Sequence, residues 1–467
     1  MLHNAQWKKS GAEVVRIVII LAFFVSSLVR LYVVNFAEYN CAPHDLGPSY
    51  GTENYESRYE GHLGYIWSIK MSGGLSQDDP RERTCFYNPP LFYALEAGVW
   101  NLAEELGVSD NQAHELLQWI PFLAVELALL VMILIMKEVG VGGYALALAS
   151  ILLLFHPEMT ILSIIVNPDA MSLMFSVLSI YFMIRWYKAR EGKMLWMVLD
   201  ALAIGLGMMT KLTVALVAIP MAVFFLYELV NRCRREGKAG FLDLFKQYLV
   251  FLLISVPLGL YWSVRNFLKF RLSPTYVPLV TDDSIKILDE NSSLLKRLNP
   301  LAGYYDISIT WDTARQYNIW KHTLQTSLID EYYLPWNMSL LRVMMYLAVF
   351  LSLVLTVFFI IGIFKKRDLS APLRLFLAGL YLLYILYYVR FCFNFPHLCT
   401  MNYRYIPVTL LFAAIGLGWF SEEDKRAEEE GRRTRGSRII SRIALLGSGC
   451  GILLFSVGAV LLWFLAL

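Results

Sequence analysis

The sequence predicts an all-α polytopic membrane protein with about eleven transmembrane helices, extracytoplasmic interfacial helices and two large outer loops. Three observations predict it. Of 467 residues, 57% are hydrophobic and only 17% charged, with a mean hydropathy of +0.51, a balance that soluble chains of this length do not carry. Apolar runs of about 20 residues recur from end to end, long enough to cover a hydrocarbon core of roughly 30 Å with every backbone polar group paired inside the segment. Lysine and arginine gather in alternate connections.

The same numbers exclude other classes. Lys+Arg 41 against Asp+Glu 38 leaves almost no basic excess, so no nucleic-acid partner is expected. Disorder and a small disulfide scaffold are excluded by the apolar content and the six cysteines. Trp 12 and Tyr 27 suit a chain whose amphipathic rings settle at many water–lipid boundaries.

The spans are expected at approximately 14–36, 117–136, 143–160, 170–187, 195–209, 213–230, 247–266, 340–364, 373–393, 405–420 and 439–465. The first is too long for the apolar core of a signal peptide, and no small-residue cleavage site precedes Tyr39. Orientation follows from the cations. With Lys8 and Lys9 inside, the inner turns hold Lys137; Arg185, Lys188, Arg190 and Lys193; Arg232, Arg234, Arg235 and Lys238; Lys365, Lys366, Arg367 and Arg374; and the run from Lys425 to Arg438. The run 422–438, mixed in charge, reads as a solvated linker. The organisation is therefore 1–36, N-terminus and first helix; 37–116, first outer loop; 117–266, helices two to seven; 267–339, second outer loop; 340–467, helices eight to eleven. In the first loop, Tyr59 to Met71 and Pro90 to Leu106 read as helices lying at the interface. The second loop, rich in Asp282, Asp283, Asp289 and Glu290, reads as a capping element of low regularity.

Ionisable groups close to membrane depth are costly, so each one near an outer span end is a candidate for function. Ala42-Pro43-His44-Asp45-Leu46-Gly47 follows the first span, as a helix-terminating turn or as a catalytic carboxylate. Asn167-Pro168-Asp169 opens the fourth, where capping and the helix dipole also favour an acid. Lys211 interrupts a short outer turn, by snorkelling or by design. Arg265-Asn266 and Asn402-Tyr403-Arg404-Tyr405 offer planar donors to a phosphate. Carboxylates and cations at one depth suggest an anionic lipid substrate and an acid–base step. Cys41 and Cys85 share the first loop and are either bridged or two thiols.

Taken in order, these pieces resemble the GT-C glycosyltransferases, the family 39 type of protein O-mannosyltransferases and aminoarabinose transferases that take sugars from polyprenyl phosphates. The matching elements are His44-Asp45-Leu46-Gly47, Asn88-Pro89-Pro90-Leu91-Phe92-Tyr93, Phe155-His156-Pro157, Asn167-Pro168-Asp169-Ala170, Gly205-Leu206-Gly207-Met208-Met209-Thr210-Lys211, Arg265-Asn266 and Arg404-Tyr405-Ile406-Pro407. The resemblance implies an inverting transfer on the extracytoplasmic face, and the compact loops, with no soluble lumenal domain expected, favour a bacterial plasma membrane. Asp45 would be the general base and Asp169 the second catalytic acid. Lys211, Arg265 and Arg404 would contact the lipid phosphate, with His44, Tyr87 and Tyr405 also binding substrate. Where some relatives carry Asp-Glu this chain has Asp45-Leu46, so a second first-loop acid would come from Glu53, Glu56 or Glu60, of which Glu60 is taken as a substrate-binding candidate. No cofactor is firmly implied, and a divalent metal is left open. The partners expected are the polyprenyl-phosphate sugar donor, a glycolipid, protein or polymer acceptor, and membrane lipids. A secondary transporter or lipid flippase is the competing reading, and the lack of internal repeats and of midplane charges argues against it.

Overall fold

The computed structural model describes residues 2–37, 61–278, 293–300, 303–304, 307, 318–330, 336–396 and 398–467. Along the chain run α1 (Leu2–Phe36), α2 (Gly61–Ser72), α3 (Leu91–Glu105), α4 (Asp110–Leu116), α5 (Trp119–Glu138), α6 (Gly143–Leu154), α7 (Pro157–Ile164), α8 (Asp169–Lys188), α9 (Lys193–Met208), α10 (Ala215–Phe270), α11 (Leu294–Leu298), α12 (Ile319–Ile329), α13 (Met338–Lys365), α14 (Ala371–Asn394), α15 (Thr409–Glu429) and α16 (Arg435–Ala466). No strand occurs among the described residues.

Among the described residues seven helical stretches, those holding α1, α5, α8, α10, α13, α14 and α16, are long and apolar enough to cross a membrane, or eight if α6 and α7, bent by 43°, form one span. The protein is a multi-pass membrane protein. The expected count of about eleven is larger for three reasons. Helix α9 has only 16 residues. The second half of α15 is charged. The expected sixth and seventh spans are merged in α10, which is broken at Gly237 (φ 59°, ψ −140°), a backbone conformation that glycine alone adopts cheaply. Helices α2 and α3 lie where interfacial helices were expected, and neither meets the length and hydropathy of a span.

The chain divides into two compact units. One comprises Met1–Val33, Met132–Thr160 and Ile287–Leu467; the other comprises Val34–Val131 and Ile161–Lys286. Within the first, α13 and α15 touch backbone to backbone, because a Cβ on Gly416 would stand 2.7 Å from Leu355 O and Phe359 N, the close approach that small residues allow where water supplies no driving force. Arg30 of α1, only 1% exposed, donates to Leu154 O at 2.7 Å and so caps a carbonyl freed where α6 gives way to α7.

Two expectations are corrected in this unit. The run 422–438 is no solvated linker: α15 continues to Glu429, α16 begins at Arg435, and Arg433–Asp424 (2.5 Å) and Arg442–Glu428 (2.8 Å) pair across the turn. Opposite charges at helical spacing, such as Glu423 and Arg426, support helix rather than coil. The second outer loop is not of low regularity throughout either, for it contains α12, buried on nearly every side. A polar helix tolerates that burial because its hydroxyls turn back onto its own carbonyls, Thr323 to Ile319 O (2.6 Å) and Ser327 to Leu324 O (2.7 Å). Asn318 caps it, accepting from Lys321 N–H at 2.9 Å.

In the second unit, α8, α9 and α10 pack together, and α2 and α3 pair beside α4. A Cβ on Gly205 would lie 2.9 Å from Leu258 Cβ, so that glycine sets the spacing of α9 and α10.

Candidate active site

The second unit builds its site around the turn after α9. A Cβ on Gly207 would meet Val214 Cγ1 at 2.6 Å and Phe175 Cβ at 2.9 Å, so only glycine lets α8 and the 3-10 turn Leu212–Val214 close on α9. At the start of α8, Asn167 Oδ1 accepts from Asp169 N–H at 2.9 Å. Capping is thus done by Asn167, and the Asp169 side chain is turned to another use. It receives the Lys211 ammonium in a short hydrogen-bonded ion pair, with Asp169 5% and Lys211 17% exposed at the side chain. Ser172 and Thr213 hydroxyls meet beside it at 3.2 Å. Leu91 N–H donates to Met209 O at 2.9 Å, which ties the Asn88–Tyr93 element to the same turn.

Behind that element lies a group the sequence reading missed. Tyr93 OH is 2.8 Å from His62 Nδ1, and Cys85 Sγ is 3.6 Å from His62 Nε2, with all three residues buried. Burial pushes the Tyr93 phenol well above its ordinary range, and the charges of Cys85, Tyr87, Tyr65 and Asp169 push it further. Cys85 carries a free thiol. No charge or motif marked His62 in advance; only the packing of α2 on α3 brings it to Tyr93.

Other candidates of this unit are engaged elsewhere. Arg265 donates to the Ser76 carbonyl and to Asn266 Oδ1 at 2.8 Å, and lies over the Trp262 ring at 4.5 Å. It holds the loop after α2 against the end of α10. Trp262 Nε1 donates to Tyr87 O at 3.2 Å and fixes Tyr87, which is half-buried. His44, Asp45, Glu53, Glu56, Glu60 and Cys41 lie outside the described residues.

The first unit holds the other cation. Arg404 sits in a 3-10 turn, Tyr403–Tyr405, is 7% exposed, donates to Tyr405 OH at 3.2 Å and lies over that ring at 5.1 Å. Tyr405 in turn packs on Phe391, 4.9 Å between centroids. An apolar cavity of about 390 Å³ adjoins the turn, with Leu152, His156, Trp320, Tyr403, Thr409 and Phe455 among its walls. His322 of α12 is buried, which pulls its imidazole down to about 4, with the Lys321 charge adding to the effect. Among the described residues no group of three or more His, Cys, Asp or Glu is placed to hold a metal ion.

Residues 93–272 match the family model of the dolichyl-phosphate-mannose-protein mannosyltransferases. That segment is similar to the domain that defines this family. It contains Asp169, Lys211 and Arg265 and begins at Tyr93. ArnT from Cupriavidus metallidurans in the apo state is similar in structure, at a TM-score of 0.50 and 16% identity over 96% of this chain and 76% of that one. The same protein bound to undecaprenyl phosphate gives 0.48 and 14% over the same shares. The apo oligosaccharyltransferase of Archaeoglobus fulgidus gives 0.49 and 11%, over 94% of this chain and 56% of that chain. No curated protein matches the chain. At such identities the likeness is one of fold, and the fold is GT-C, as the motifs implied. The matched segment is similar to that of a glycosyltransferase family.

Proposed function

We propose that the protein transfers a sugar from a polyprenyl-phosphate carrier to an acceptor on the extracytoplasmic face, with inversion at the anomeric carbon. The observation that carries the proposal is the buried Asp169–Lys211 pair inside the segment that matches the mannosyltransferase model. A buried ion pair is weak evidence of stability, so a pair kept inside the matched segment points to chemistry instead. The acceptor hydroxyl oxygen attacks the anomeric carbon and the bond from that carbon to the phosphate oxygen breaks. The lipid phosphate leaves with the electron pair, and the acceptor's proton passes to the Asp45 carboxylate. As that bond breaks the ring carbon gains oxocarbenium character while the phosphate gains negative charge, so cations help most in the transition state. Lys211 or Arg265 in one unit, or Arg404 in the other, is the cation proposed for that phosphate. The apolar cavity beside Arg404 suits the first isoprene units of the tail, and among the described residues its walls offer no Asp, Glu, Lys or Arg side chain that would oppose them.

The test is transfer from a polyprenyl-phosphate-linked sugar by purified full-length protein, with Asp45→Asn as the variant. Loss of a single general base is expected to lower turnover about 10²–10⁴-fold; undiminished turnover removes Asp45 from the mechanism. Movement of the lipid across vesicles without sugar transfer would return the flippase reading.

A further inference from the structure

We propose that Asp330 and Thr326, at the end of α12, are positioning residues that lock the Tyr403–Tyr405 turn and so aim Arg404 at the donor phosphate. The inference rests on the reading of Arg404 given above and adds to it what holds that arginine in place.

The turn is too short to hold itself. Its backbone is pinned from α12 at two points. Thr326 Oγ1 accepts from Tyr403 N–H at 3.0 Å, while Thr326 itself donates to Thr323 O at 3.0 Å, which fixes its lone pairs toward Tyr403. Asp330 accepts a short hydrogen bond from Asn402 Nδ2. The other end of the same amide, Asn402 Oδ1, accepts from Arg404 N–H at 2.9 Å. A carboxylate, an amide and the arginine backbone therefore form one chain, and the amide cannot rotate without losing both ends.

The backbone at Asp330 argues against incidental packing. Asp330 ends α12 at φ 52° and ψ −138°, a region that glycine enters freely and a side chain enters only under strain. Glycine would be the cheap terminator. The chain instead places an aspartate there, 1% exposed, so a strained backbone and a buried acid are both maintained for the contact with Asn402. Strain of this kind persists where surrounding structure over-determines it. The α12 residues also explain why a polar helix is kept inside: its Trp320, Thr323 and Ser327 line the apolar cavity while Thr326 and Asp330 grip the turn. One helix thus connects the slot suited to the tail with the cation suited to the head.

The experiment uses full-length protein in detergent and undecaprenyl phosphate as the probe, with quenching of tryptophan fluorescence as the binding signal and melting temperature recorded beside it. Asp330→Gly relieves the backbone while deleting the carboxylate; affinity is expected to fall about tenfold with the melting temperature held. Asp330→Asn, whose amide oxygen can still accept from Asn402, is expected to restore most of the affinity. Thr326→Val is expected to follow Asp330→Gly, and Thr326→Ser to follow wild type. In an Arg404→Ala background, Asp330→Gly is expected to add nothing, because a residue acting through Arg404 has nothing left to aim. Wild-type affinity in Asp330→Gly and Thr326→Val overturns the proposal, as does a full additive loss in the double variant. If Arg404→Ala alone binds as wild type, the reading of Arg404 falls, an outcome distinct from either of those.

Discussion

Asp169 and Glu96 belong to the same unit and are both buried acids, 5% and 0% exposed, yet their two regions answer burial in opposite ways. At the head of α8 the carboxylate is met by the Lys211 ammonium. In the middle of α3 neither carboxyl oxygen of Glu96 has a hydrogen-bond partner among the described residues, and burial holds its pKa well above the usual carboxylate range. A buried charge survives only where a partner is brought to it; otherwise the group takes up a proton and goes neutral. The difference marks the α8 turn, not α3, as the place where this unit keeps charge.

The largest effect expected from that comparison comes from breaking the pair. Lys211→Met leaves Asp169 buried without its partner and should lower unfolding stability by about 3 kcal/mol. Asp169→Asn with Lys211→Met should recover much of that loss, since no charge is then stranded. Chemical denaturation of the two single variants and the double one decides it: strict additivity would mean that the two groups do not depend on each other. Such additivity would break the contrast with Glu96.

Next in size is the geometry that makes the pairing possible. Gly207→Ala places a methyl where Val214 and Phe175 already stand, an overpacking worth about 1–3 kcal/mol. If α8 and the turn after α9 are pushed apart, Lys211 loses Asp169 as well, and transfer activity should fall more than the melting temperature alone would account for. A variant that loses stability but keeps its activity in proportion to folded protein would show that the close approach serves packing only.

Much of this was legible beforehand, and the limits have physical causes. The apolar runs announced their helices because lipid demands a long uninterrupted stretch, and α13, α14 and α16 fall where expected. The count was not legible where a span is short, as in α9, or where two spans fuse across a glycine, as in α10. Asp169 and Lys211, 42 positions apart, could be named singly because charge is rare at such depth. Their partnership depended on Gly207, whose role is a matter of clearance. Arg404 was visible as a cation. What pins it was not, because Thr326 and Asp330 sit in a polar stretch with none of the periodicity that marks a buried helix. Likewise Arg265 could be named by residue type, but not the Ser76 carbonyl and Asn266 amide that hold it.

The smallest effect is on Glu96 itself, and it sharpens the comparison most cleanly because it changes no shape. Glu96→Gln is nearly isosteric and cannot ionise. Below about pH 4.3, the ordinary glutamate value, the acid is neutral in both folded and unfolded chains, and the two proteins should melt alike. As pH rises past that value the unfolded wild type gains by releasing its proton while the folded protein holds it. The stability that Glu96 contributes is therefore full at low pH and is lost as pH rises toward its raised folded pKa. The amide variant loses nothing. Melting temperatures at pH 4, 6 and 8 should thus show the variant drawing steadily ahead of wild type, by an amount that stops growing once the folded acid ionises too. A gap that is constant across the series would mean that Glu96 is already charged and paired in the folded protein, and that α3, like the head of α8, carries an ion.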